Sequence, residues 1–204
     1  MAPSGNTDKG DWFADLDAEL EQKTQSIVKD VAELNAQRAK VNRSLVEDFA
    51  KIQARFEKID VRLTMEPARN VIAEPTSIPE KYKMREDFDY AGVKNIQLVD
   101  RTQEQGRMGD SLKVWYYSDE ATMRIRMVFE YCEGEHYYKY AGWKRMFGQF
   151  VIYDAPVCEV DMDVVHEKLG EVVKAWYESH LRRNRELLIS ALKESFEKGE
   201  SFTE

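Results

Sequence analysis

From Phe13 to Leu63 an apolar residue recurs at every third or fourth position, and no proline or glycine interrupts the run. Its members are Phe13, Leu16, Leu20, Ile27, Val31, Leu34, Val41, Leu45, Phe49, Ile52, Phe56, Ile59 and Leu63, with Thr24 and Arg38 filling two gaps. The mean step is about 3.6 residues, which is the period of an α-helix. One helix of this length would reach roughly 80 Å, at about 1.5 Å per residue. That exceeds the width of any globule the remaining chain can make. The stripe therefore needs cover from another helix, supplied by a second copy or by the chain's own C-terminal part. Leu34, Val41, Leu45, Phe49, Ile52, Phe56 and Ile59 hold its largest apolar cluster and are the expected oligomerisation contacts.

Charge changes sign along the same segment. Asp8 to Glu33 is acidic on balance, and Arg38 to Arg69 is basic. Such an asymmetry suits an antiparallel partner, with acidic half laid against basic half. Two consecutive four-residue steps occur at Leu16–Leu20–Thr24 and again at Val41–Leu45–Phe49. These stutters relax a left-handed supercoil, so the expected bundle is nearly straight.

The punctuation divides the chain. Residues 1–10 are polar and read as a disordered lead-in, and residues 11–65 as the long helix. Pro67, Pro75 and Pro79 mark 66–92 as a linker. Residues 93–198 hold an antiparallel sheet and a C-terminal helix, and 199–204 form a tail. From Val93 the apolar period becomes two. Met123, Ile125, Met127, Phe129 and Tyr131 alternate with polar residues, and Val128 alone breaks the pattern. Ser118-Asp119-Glu120 and Glu133-Gly134-Glu135 read as hairpin turns. Strands are expected at 93–99, 112–117, 122–132, 136–141 and 147–153. Asp161 or Asp163 then caps one last helix, Met162 to Lys198. The fold class is α+β: a long N-terminal coiled-coil-like helix, an antiparallel meander of four to five strands, and a long C-terminal helix.

No constellation of catalytic residues emerges. His136, His166 and His180 stand at no metal-ligand spacing to one another or to a cysteine. Cys132 and Cys158 lie in no nucleophile motif. The glycines build no phosphate-cradling loop. A net charge of −8 argues against a phosphate backbone as the main partner. Two cysteines are too few for a secreted disulfide framework, and both are expected as free thiols. With no leader-like or membrane-spanning apolar run, the expected setting is cytoplasmic and reducing.

Strand alternation gathers Trp115, Tyr117, Arg124, Arg126, Tyr137 and Lys139 on the sheet face away from the core. Trp, Tyr and Arg are the residue types that anchor protein interfaces. The sequence thus points to a non-enzymatic structural or adaptor subunit. It associates through its long helix, with itself or within a larger assembly, and presents the sheet face to a protein partner. It needs no metal or cofactor. A second reading is a small-ligand module with an aromatic pocket between the sheet and the C-terminal helix, supplied by Tyr137, Tyr138, Tyr140, Trp143 and Trp176.

Overall fold

The computed structural model describes residues 12–67, 70–71, 84–85, 95–102, 109–119, 122–139, 142–199 and 201–203. The 1–10 lead-in and most of the 66–92 linker lie outside these residues. The architecture is α+β. A 45-residue helix, α1 (Trp12–Phe56), leads into an antiparallel sheet backed by two C-terminal helices.

Helix α1 ends before the sequence pattern does. After Phe56 a single 3-10 turn, Glu57–Ile59, leads to Asp60 in the left-handed conformation, φ 58°. The Val61 amide donates to the Phe56 carbonyl, 3.1 Å, and the Asp60 amide to the Glu57 carbonyl, 3.2 Å. This pair of reversed bonds is the Schellman stop. Leu63, read as the last helical stripe position, instead opens strand β1 (Leu63–Pro67) and is buried there.

The sheet runs β1, β4 (Ile96–Asp100), β5 (Ser111–Asp119), β6 (Thr122–Tyr138), β7 (Gly142–Pro156), each neighbour antiparallel. Two short strands, β2 (Asn70–Val71) and β3 (Met84–Arg85), pair with each other in a separate two-stranded sheet. Glu133-Gly134-Glu135, read as a hairpin turn, is a bulge inside β6: Cys132 pairs with Phe147 and Gly134 with Met146, which leaves Glu133 as the extra residue. The chain reverses between Tyr138 and Gly142. The expected strands at 122–132 and 136–141 are therefore one strand. The bulge has a partner in Gly148, where a Cβ would fall 2.6 Å from the Tyr131 ring and from the Glu133 carboxylate. Only glycine lets Tyr131 lie across β7 there and stack on Phe150, centroids 5.2 Å apart.

The expected single C-terminal helix is two. α2 (Met162–Leu181) is capped by the Asp161 side chain, which accepts from the Asp163 and Val164 amides. It stops at Arg183, φ 49°, and Asn184 caps α3 (Arg185–Ser195). Strands β8 (Glu197–Lys198) and β9 (Phe202–Thr203) then pair with β7. The supposed tail thus closes the sheet's edge.

One sheet face and three helices enclose the main core. Ile125, Met127, Phe129 and Tyr131 meet Val165, Leu169, Val172 and Trp176 of α2, Leu188 and Leu192 of α3, and Val41, Leu45, Phe49, Ile52 and Phe56 of α1. Phe56 and Phe129 both contact the Trp176 ring, at 5.2 and 5.1 Å. The stripe from Val41 onward is thus covered by the chain's own sheet and α2. Val41, Leu45, Phe49, Ile52 and Phe56, expected as oligomerisation contacts, are buried intramolecularly and cannot serve a second copy. Leu34 and Ile59 are half-buried at the two ends of this zone. Arg38 marks where the body begins: buried, it lies 5.6 Å from the Tyr116 ring centroid and donates to the Met123 sulfur. N-terminal to it, residues 16–33 are all exposed.

The other sheet face is not uniformly wet. Val99, Val128 and Phe147 are buried outside the main core, beside buried Gln97, Ser111, Lys113 and Glu130. Val128, the break in the alternation, is fully buried on this second face.

Candidate functional site

On the second face, Tyr117 of β5, Arg124 and Arg126 of β6, and Asp154 of β7 converge. The register sets Tyr117 opposite Arg124 and Arg126 opposite Asp154. The Asp154 carboxylate accepts from the Tyr117 hydroxyl at 2.9 Å, from Arg124 Nε at 2.8 Å and from Arg126 Nε. The Arg126 guanidinium also sits 5.0 Å over the Tyr117 ring. Burial alone would raise the Asp154 pKa. The hydrogen bonds from Arg126, Tyr117 and Arg124 outweigh it and hold the carboxyl below its ordinary range. Burial and the bond to Asp154 push the Tyr117 phenol up. Two arginines sharing one carboxylate leave a local charge of +1, next to the half-buried Trp115.

The structure therefore brings together four of the six predicted face residues: Trp115, Tyr117, Arg124 and Arg126. Tyr137, 63% exposed, and exposed Lys139 lie at the other end of β6. Eleven residues separate Tyr137 from Arg126, roughly 35 Å along a strand. They do not belong to the same patch. Asp154, which organises the cluster, was not singled out from the sequence. Its only signal there is a carboxylate just ahead of Pro156 at the end of a strand.

A cleft of about 750 Å³ opens between the β6 bulge and the α2–α3 turn. His180 and Asp100 meet across it at 3.1 Å, and Arg185 grips Asp110 with two nitrogens while donating to the Cys132 carbonyl. Arg145 pairs with Glu135 at 3.4 Å. Burial acts to raise the Asp100 pKa, but hydrogen bonds from His180 and Thr102 bring it below the usual value. The cleft's charges thus largely satisfy one another and latch the turn to the strand ends. The adjacent space between the sheet and α2, where an aromatic pocket was expected, is filled by Trp176, Phe56 and Phe129, all fully buried.

Cys132 is half-buried and Cys158 exposed, both free thiols. His166 pairs with Asp48 of α1 at 2.9 Å. Among the described residues, no group of three or more His, Cys, Asp or Glu side chains is placed to hold a metal, and no helix is long and apolar enough to cross a membrane. No family model, curated protein or solved structure matches the chain.

Proposed function

We propose that this chain is a structural or adaptor subunit. The N-terminal half of α1 is its association element, and the β5–β6–β7 face around Trp115, Tyr117, Arg124 and Arg126 is its docking face for a protein partner. One observation carries the reading. Leu16, Leu20, Ile27, Val28 and Val31 are 40–63% exposed on a helix that extends beyond the body. Eighteen residues, 16–33, span about 27 Å with no cover among the described residues. An apolar stripe of this length on a soluble surface marks an interaction site.

The paired arginines support the second half of the reading. Asp154 fixes their orientation in advance, so their remaining N–H groups are presented without further ordering cost. Polar or acidic peptide chemistry suits them. Val31→Glu tests the first half. It should abolish association measured by light scattering while leaving the melting temperature within a degree or two, because Val31 lies outside the core. Retention of the associated state in that variant would sink the reading.

A small-ligand module is the second reading, its site moved from the filled space between the sheet and α2 to the charged cleft at the β6 bulge. Its supporting observation is the cleft, whose volume falls within the range of about 300–1,000 Å³ typical of ligand pockets.

A further inference from the structure

This inference rests on the reading of α1 as an association element and names its occupant. We propose that residues 16–34 pair with the same segment of a second copy, antiparallel, so that two bodies sit at opposite ends of a short two-helix rod.

The body dictates the direction. From Arg38 onward the stripe face is occupied by the chain's own sheet and α2. A parallel, in-register copy would run along that face into the body near Arg38, and its own body would need the same space. An antiparallel copy brings the first turn of its α1, at Trp12, to the point where the body begins.

The side chains fit this direction. Centred between Gln25 and Ser26, the overlap sets Leu20 opposite Val31 and Thr24 opposite Ile27, each layer occurring twice. Leu16 then falls one position from the half-buried Leu34, beside Asn35, which extends the apolar seam to the body's edge. The smallest residue of the stripe, Thr24, falls in the middle layers, against Ile27.

Charge selects the same arrangement. Lys23 and Asp30 each precede a stripe residue, Thr24 and Val31, and flank one edge of the seam. Val28 and Asn35 flank the other edge. Antiparallel helices bring like edges together, and parallel helices bring unlike edges together. The antiparallel pair therefore sets Lys23 of each copy beside Asp30 of the other, making two ion pairs. The parallel pair would set Lys23 beside Val28 and Asp30 beside Asn35. Within one chain Lys23 reaches Glu19 at 2.6 Å, whereas Asp30 has no ion-pair partner among the described residues.

The test uses the full chain. Cys132 and Cys158 are replaced by serine, and a spin label is placed at Lys40→Cys, an exposed position beyond the overlap. An antiparallel dimer puts the two labels about 45 Å apart, from the helical rise. A parallel dimer puts them within about 20 Å. Lys23→Asp should weaken dimerisation about fivefold, and Lys23→Asp with Asp30→Lys should restore it. A dimer with the short label distance, or a charge swap that fails to rescue, overturns the antiparallel pairing. A monomer at the highest workable concentration overturns the second copy as occupant. In that case, Val31-dependent capture of another protein would leave the association reading standing, and its absence would remove both.

Discussion

Lys113 and Glu130 pair at 2.6 Å on the second sheet face, with 7% and 5% of their side chains exposed. A buried ion pair adds little net stability, because desolving both charges cancels most of the attraction. Removing one partner is another matter, since it leaves the other charge buried without its counter-ion. Lys113→Met should therefore cost about 3–5 kcal/mol in urea unfolding, and adding Glu130→Leu should recover most of it. A double variant as unstable as the single one would mean the pair is worth more than its hydrophobic substitute. The sequence held one trace of this buried face, Val128. The pairing itself was illegible, because the cross-strand neighbours of Lys113 depend on a register that β5 and β6 settle only when they meet. The same holds for Asp154, whose two arginines lie about thirty positions away in the chain. Gly148 gives a second test at this scale. Gly148→Ala places a methyl 2.6 Å from the Tyr131 ring, so Tyr131 must leave its stack on Phe150. A loss of about 1–3 kcal/mol is expected, visible as a lowered melting temperature.

Among the elements, α1 was the most legible, because an amphipathic period of 3.6 kept over fifty residues has few alternatives. Its end was not. Ile59 and Leu63 continue the three- and four-residue steps by coincidence, and the stop lies in the backbone at Asp60, a residue type that only sometimes adopts the left-handed region. Asp60→Gly should raise stability by up to about 1 kcal/mol by relieving that conformation. A loss of stability would show that the Asp60 side chain itself matters. Phe56→Ala should lower the melting temperature clearly, at a cost of about 3–5 kcal/mol, since its ring meets Trp176, Tyr177 and His180 within 6 Å. Lys51→Ala, on the exposed side, should change it little. Equal effects would mean that the buried side of α1 is misassigned. The bulge in β6 escaped the sequence reading because Glu-Gly-Glu serves a turn and a bulge equally well. What separates them here is Tyr131 lying over Gly148, a contact between strands.

For the molecule as a whole, acidic side chains tie separate parts together. Asp154 joins β7 to β5 and β6, Asp100 joins β4 to α2, and Glu133 joins β6 to Lys198 of β8. Hydrogen bonds to these three carboxylates outweigh burial or act ahead of it, and all three titrate below their ordinary values. A carboxylate with a depressed folded-state pKa adds stability above its unfolded value, near 4, and loses it as pH falls through the folded value. Urea midpoints should therefore stay level on the acid side of neutrality and drop below about pH 4. Asp154→Asn should lower the plateau and flatten the drop. An unchanged acid limb in that variant would show that Asp154 contributes nothing to the linkage. Reversing the charge of Arg124 and Arg126 would crowd three carboxylates together around Asp154, so Trp115→Ser is the gentler test of the docking face.

The unburied half of α1 also has a bearing on time. Residues 16–33 hold their helix by local hydrogen bonds and the i,i+4 ion pairs Lys23–Glu19 and Lys29–Glu33, extending from a segment that the core anchors. A stretch so placed needs no nucleation, but each added residue gains almost nothing over water, and it frays from its free end. Amide exchange should slow sharply near Leu34 and stay protected through Phe56, while the eighteen preceding residues open and close independently of global unfolding. Any partner that covers Leu20, Ile27 and Val31 would convert this fraying segment into a protected one. Helix content would then rise with protein concentration at constant temperature, so association and the completion of folding would be a single event.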